Sequence, residues 1–521
     1  MKHLLTSLVV LALATACSKK GVMDMNDMAS GNQQDRIARE TIDSEIKSTV
    51  ERTGRFDWNQ ANEKTVWSAL QHGDNVMAIG YQAMGFSEPM DKVIHRVNIN
   101  EPAWQNARQM LLQTVLAEER TVDASLDLAD VEAYEENILP ILYVRVNSLS
   151  TIAALRKSPL VRYAEPIGYE PQNMGLGVPD PGIAQASSSG CGSNVGEAGL
   201  TEPADFVTIS PGAKQSWNYT YHNIPSAWGK SSGTGRRVMI IDTGLSPDQS
   251  LFSTLFNSGL SAGRTIERRV TLRKPGFLGF GYGDVETSTA DACGHGTSMA
   301  GACASPRNAS GGMVGVAYNV NLMTVRAAVD VMIDESRETK GVADAFVLAG
   351  NTASVNIVSM SMGRITSASS ITDGVNYAFN KGKLIFCAAG TSFSFTGSFW
   401  GVIFPAWLSN VNAVTGIKDN LTTRCDACHQ GNEVDFVVVM EIASNGRKPL
   451  STAQSGLAPS TVGGSSVATA TTAGIAALVW ARNPTLTRDQ VRAKLEQSSN
   501  YYPSRNSNFG WGRINADAAT N

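Results

Sequence analysis

From Trp228 onward, apolar runs of strand length alternate with stretches of helical spacing, and this alternation is the strongest constraint on the fold. Arg237-Val238-Met239-Ile240-Ile241, Asn321 to Val325, Val355 to Met360, Lys383 to Ala389 and Val411 to Thr415 read as strands. Gly341 to Ala349 and the long apolar stretch Thr469 to Arg482 read as helices. Such a pattern predicts a mainly parallel sheet between helices. Sites in sheets of this kind gather at the C-terminal ends of the strands. Asp242 ends the first run, and His295 and Ser466 stand where helices open, so all three are expected to meet at that edge.

Three motifs carry these residues: Val238-Met239-Ile240-Ile241-Asp242-Thr243-Gly244, Gly294-His295-Gly296-Thr297 and Gly464-Ser465-Ser466-Val467-Ala468. Singly, each has a plainer reading. Asp before Thr-Gly is commonly a turn residue, a lone His is more often structural, and Ser in a Gly-Ser-Ser run is more often a cap. Together, in the chain order Asp, His, Ser, they differ from the orders of chymotrypsin-like and α/β-hydrolase enzymes. On these motifs the chain, from about Trp228 to Ala519, resembles the subtilisin-like serine peptidases, the subtilase family. The resemblance implies an α/β, subtilisin-like fold and a serine endopeptidase working through an acyl-enzyme, with no cofactor required. Ser466 would be the nucleophile, His295 the base that frees its hydroxyl, and Asp242 the group that orients the imidazole. Ser361-Met362-Gly363 is similar to the family's substrate-binding segment and is expected to pair with an extended peptide by strand addition. Ala388, Ala389 and Gly390 are expected to wall the cleft.

Two positions depart from the family pattern. Thr391 follows Ala388-Ala389-Gly390 where the family usually has Asn, whose amide donates to the oxyanion. The Thr391 hydroxyl is a shorter donor, with Ser392 or Ser394 as alternatives. The other donor, the Ser466 backbone N–H, does not depend on any side chain. Ala470 replaces a usual Pro after the serine, a modest change at a helix start. Thr391 supports a rival reading: a subtilase-fold binding or regulatory protein with little turnover.

Upstream, Met1-Lys2-His3 followed by an apolar run from Leu4 to Ala14 has signal-peptide length, too short for a stable bilayer span. It ends in Ala14-Thr15-Ala16-Cys17, which resembles a bacterial lipobox with Ala14 in place of the usual Leu. The resemblance implies cleavage before Cys17, lipidation of Cys17 and anchorage to a lipid membrane in the cell envelope, periplasmic or at the surface. The expected organisation is a signal peptide at 1–16, a tether with one or two helices at 17–73, a small α+β domain at 74–170, a linker or processing region at 171–212 and the peptidase domain at 213–521. The ending strand, helix, strand of the α+β domain is similar to a subtilase inhibitory prodomain. The linker is rich in Pro, Gly and Ser, as sites of nicking are. Expected partners are therefore protein or peptide substrates, the chain's own prodomain as inhibitor, and a lipid membrane. The formal net charge of −4 over 521 residues argues against nucleic acid.

Export makes disulfides possible among Cys191, Cys293, Cys303, Cys387, Cys425 and Cys428, but sequence does not choose the pairing. Cys303 and Cys387, in apolar surroundings, read as buried thiols. Cys425-Asp426-Ala427-Cys428-His429 matches the haem-attachment spelling, but with no second haem ligand evident it reads as a local disulfide or loop clip. Zinc would need further ligands, and no Asp-rich loop spells a calcium site, although structural calcium is common in the family.

Overall fold

The computed structural model describes residues 35–172, 191–192, 194–275, 283–392 and 401–521. The expected signal peptide, the expected lipidation site Cys17, most of the first half of the linker, and Ser394 lie outside these residues.

The C-terminal unit is built on an eight-stranded sheet. Its strands run, from one edge to the other, 512–513, 434–441, 412–418, 384–388, 357–360, 237–242, 321–326 and 266–270, and every neighbouring pair is parallel. The expected strands appear within three residues of their sequence positions. Three strands had not been expected, the short edge strand Gly512–Arg513 among them. Val434–Glu441 is buried throughout, while Ile266–Val270 holds a charged edge with Glu267, Arg268 and Arg269. The order reverses about Arg237–Asp242: later strands are added on both of its sides. A crevice opens at the strand ends of such a switch point.

Helices cover both faces. His295–Ala304 and Gly464–Arg482 pack on one side, with Met299, Ala300, Cys303, Val467, Ala473 and Ala477 in a shared core. Ser336–Asn351 and Ser369–Asn380 pack on the other, through Phe346, Val375 and Ala378. Gly464–Arg482 is long and apolar enough to cross a membrane, yet 89% of its most apolar stretch is buried inside the protein. It is a core helix.

The N-terminal unit is a four-stranded antiparallel sheet in the order 132–134, 141–145, 76–81, 161–166. Val76–Tyr81 is buried at every position because both faces are covered. One face packs on helices Pro102–Glu119 and Leu149–Lys157. The other presents Val76, Ala78, Tyr143 and Tyr163 to Val347 and Tyr377 of the C-terminal unit. The tether expected at 17–73 is shorter than drawn. Helices Arg39–Thr53 and Glu63–His72 belong to this unit, because Ile42, Ile46 and Val50 make a narrow apolar stripe inside a polar sequence. Ser148 holds the cap position of Leu149–Lys157.

The linker expected at 171–212 is also shorter. Phe206–Ile209 and Ala213–Ser216 form a hairpin on the C-terminal unit, and Asp205 pairs with Arg447 at 3.0 Å. The disulfide Cys191–Cys293 fixes the chain before it. Closing a loop of about 100 residues is worth about 4–5 kcal/mol by chain entropy. Cys425 and Cys428 are joined locally, and Cys303 and Cys387 are free and buried.

Candidate active site

Asp242 is the last residue of a central strand and is buried. His295 is the first residue of its helix. The turn after Asp242 and this helix approach so closely that a Cβ on Gly296 would sit 2.3 Å from the Gly244 carbonyl oxygen. That contact explains the glycine beside the histidine and brings the two side chains together: His295 Nδ1 lies 2.8 Å from Asp242 Oδ1. A carboxylate only accepts, so Nδ1 carries the proton and Nε2 is left with its lone pair. Burial disfavours the imidazolium. The Asp242 charge and hydrogen bond outweigh that, with Asp291 and Asp330 adding to them, so the His295 pKa lies above the ordinary value of 6.5.

Asp291 went unnoticed in the sequence reading. Its buried carboxylate accepts from the Thr243 hydroxyl at 2.8 Å, Gly294 N–H at 2.7 Å, Thr297 N–H at 2.8 Å and the Thr297 hydroxyl at 2.7 Å. It thereby caps the helix that His295 opens and clamps it to the turn after Asp242. Thr243 Oγ1 is also 3.2 Å from Asp242 Oδ1, but its single proton goes to the nearer Asp291. The available signal was an acidic residue a few positions before a helix start.

Ser466 stands in the first turn of Gly464–Arg482. Its hydroxyl donates to the Ser361 carbonyl at 3.4 Å, and the Ser361 hydroxyl donates to the Ser466 carbonyl at 3.0 Å. Among the described residues no hydrogen bond joins Ser466 to His295. Ser361 therefore borders Ser466, and the backbone of Ser361-Met362-Gly363, expected to be open, is occupied at Gly363. Gly363 N–H donates to Val331 O at 3.1 Å, and Gly363 O accepts from Ile333 N–H at 3.0 Å. Val331, Met332 and Ile333 supply that pairing as an isolated parallel bridge, which sequence spacing does not announce.

Ala388 ends its strand, and Ala389 is held on both sides: its N–H donates to Val414 O and its carbonyl accepts from Ile403 N–H, each at 2.9 Å. Thr391 reaches the turn that carries Ser466. Ser465 N–H donates to Thr391 Oγ1 at 3.2 Å, and the two hydroxyls lie 2.9 Å apart. Gly390 N–H donates to Ser465 Oγ at 3.3 Å. When Ser465 gives its proton to Thr391, the Thr391 proton is left to donate elsewhere. Ser392 is engaged instead with His429. Among the described residues no group of three or more His, Cys, Asp or Glu side chains is placed to hold a metal ion.

A profile of the subtilase family matches residues 233–512. The thermostable alkaline protease of Halalkalibacterium halodurans is 32% identical over 319 residues, covering 60% of this chain and 75% of that protein. Subtilisin Savinase of Lederbergia lenta is 29% identical over 305 residues, covering 58% of this chain and 98% of the other. Among solved structures, MycP1 from the ESX-1 type VII secretion system aligns over 62% of this chain and 88% of its own, with 21% identity and a TM-score of 0.46. The family profile and the curated relatives agree with the fold and the motifs: the chain belongs to the subtilase family and is a serine-type endopeptidase.

Proposed function

We propose that the chain hydrolyses peptide bonds through Ser466, His295 and Asp242 by way of an acyl-enzyme. The observation that carries this reading is the buried His295–Asp242 contact at 2.8 Å, set at the end of a central strand. It fixes the tautomer in which Nε2 takes a proton from the Ser466 hydroxyl. For this the Ser466 hydroxyl turns from the Ser361 carbonyl towards His295. His295 would then protonate the leaving amine while Asp242 stabilises the imidazolium. The Ser466 backbone N–H and the Thr391 hydroxyl would hold the oxyanion. The rival reading, a binding protein, rests on Thr391 alone, and Thr391 offers a hydroxyl at the turn where a donor is needed. The test is peptide hydrolysis by Asp242→Ala, His295→Ala and Ser466→Ala proteins: each should lose most turnover, and full activity in any of them overturns its assigned role.

The N-terminal unit is read as an inhibitory prodomain. Its end is seated directly after the substrate-binding segment. The Glu170 carboxylate accepts from Arg364 Nε at 2.8 Å and from Ile365 N–H at 2.9 Å, and Arg364 Nη2 donates to the Tyr169 carbonyl at 2.9 Å. Cys191, across the linker, is bonded to Cys293 two residues before His295. Both flanks of the linker thus approach the site, which supports self-processing within it. Cleavage before Cys191 would leave the disulfide wholly within the mature enzyme, with the released unit held by its interface alone. The lipobox-like start supports an exported precursor anchored through Cys17. Mass spectrometry of the purified protein tests both points.

A further inference from the structure

The Cys425-Asp426-Ala427-Cys428-His429 segment takes no part in the chemistry above, yet it lies along the stretch that carries Thr391. Thr391 and Cys428 are antiparallel neighbours. Ser392 N–H donates to Ala427 O at 2.7 Å, and His429 N–H donates to Gly390 O at 3.0 Å. The disulfide Cys425–Cys428 closes the turn, and both cysteines are buried. His429 is fully buried, with its ring laid on Gly390: a Cβ there would sit 2.4 Å from Nδ1, and Gly390 has φ +127. Only glycine gives that conformation and that approach together.

The ring's two nitrogens have distinct duties. Nδ1 is 2.8 Å from the Gly401 carbonyl, which only accepts, so Nδ1 carries the proton. Nε2 is then an acceptor, and the Ser392 hydroxyl at 3.0 Å donates to it. Burial pushes the imidazole down to about 4, so the ring is neutral at working pH. The result is three layers: residues 427–429, then 390–392, then the first turn of the helix with Ser465 and Ser466.

We propose that the Cys425–Cys428 turn and His429 form a positioning clip that sets the Gly390–Ser392 segment and, through it, the Thr391 hydroxyl beside Ser466. The proposal rests on the oxyanion reading given above. The physical need is plain. Threonine is shorter than asparagine and cannot reach for the oxyanion, so its backbone must be held in register. A misplacement of about 1 Å at such a site costs about 100-fold in rate.

The experiment compares wild type, His429→Ala, His429→Gln, Thr391→Val and the His429→Ala/Thr391→Val double variant, each fully processed, with one peptide substrate. The clip predicts that His429→Ala lowers kcat by about tenfold or more, towards the about 100-fold loss of an oxyanion donor, with KM within about twofold. His429→Gln, which keeps an acceptor near the Nε2 position, recovers most of kcat. In the Thr391→Val background the same His429→Ala change costs less than about threefold, because the group it positions is already gone. Should His429→Ala fail to fold, Ser392→Ala deletes only the donor to Nε2 and must show the same kcat-only loss and the same non-additivity. Losses that add fully to Thr391→Val, or that fall on KM, overturn the clip while leaving the peptidase reading intact. A wild type that hydrolyses no peptide overturns both.

Discussion

Replacing Asp291 by Asn removes a buried charge while nearly keeping the shape, and the structure sets the size of two effects. From Asp291 to His295 Nδ1 the steps through Thr243 Oγ1 and Asp242 Oδ1 are 2.8, 3.2 and 2.8 Å, the middle one a contact between two acceptors. The carboxylate therefore lies within about 9 Å of the ring, where a unit charge is worth about 2 kcal/mol at an effective dielectric of about 20. That is a little over one pH unit on the imidazole. His295 acts as a base only when neutral, and its raised pKa places the acid limb of kcat/KM above 6.5. Without Asp291 the pKa falls, so the limb moves to lower pH by about one unit. The second effect is on stability. Gly294 N–H and Thr297 N–H bind different oxygens of Asp291, so one of them must face the new NH2 group. An unsatisfied buried donor costs about 1–3 kcal/mol. The assay is kcat/KM against pH from about 5 to 9, with thermal melts of both proteins. A folded Asp291→Asn enzyme whose acid limb does not move refutes the argument that Asp291 tunes His295.

Three further outcomes are expected. Thr391→Val should lower kcat by up to about 100-fold with little change in KM, while Thr391→Asn keeps or raises it; an unchanged rate in Thr391→Val places the side-chain donor elsewhere. Docking of the processed N-terminal piece on Ser466→Ala enzyme should weaken as pH rises. Burial lifts Glu165 from 4.5 to about 8 in the docked state, despite the Ser369 hydrogen bonds, so the docked form binds the extra proton. Between those values affinity should fall by up to about tenfold per pH unit for this group, and affinity that rises with pH contradicts it. Cys303, pushed up to about 12 by burial against the lowering influence of Arg264, and Cys387, higher still, should resist alkylation until the protein unfolds. Rapid native labelling of either thiol would contradict their burial.

Most of the central sheet was legible because its strands are apolar runs, although Val434–Glu441, a run of the same kind, was missed, and Asp242, His295 and Ser466 were legible as candidates because close packing imposes glycines beside them. Ile266–Val270 escaped because an edge strand keeps charged residues, and the place of Arg39–Thr53 in the N-terminal core because only three apolar residues in a polar run mark its buried stripe. The occupied backbone of Gly363 and the grip of His429 on Ser392 are contacts between segments far apart in sequence. No local pattern encodes them. Asp291 lies between: its capping position could be read locally, but its link to His295 through Thr243 could not.

The most direct test of the account is a serine-directed phosphonate applied to the processed protein, with the adduct mapped by mass spectrometry. Ser466 should carry the phosphonyl group in the wild type, His295→Ala should react far more slowly, and Ser466→Ala should be neither labelled nor active. Labelling of another residue, or an active and unlabelled Ser466→Ala protein, would contradict the assignment of the nucleophile.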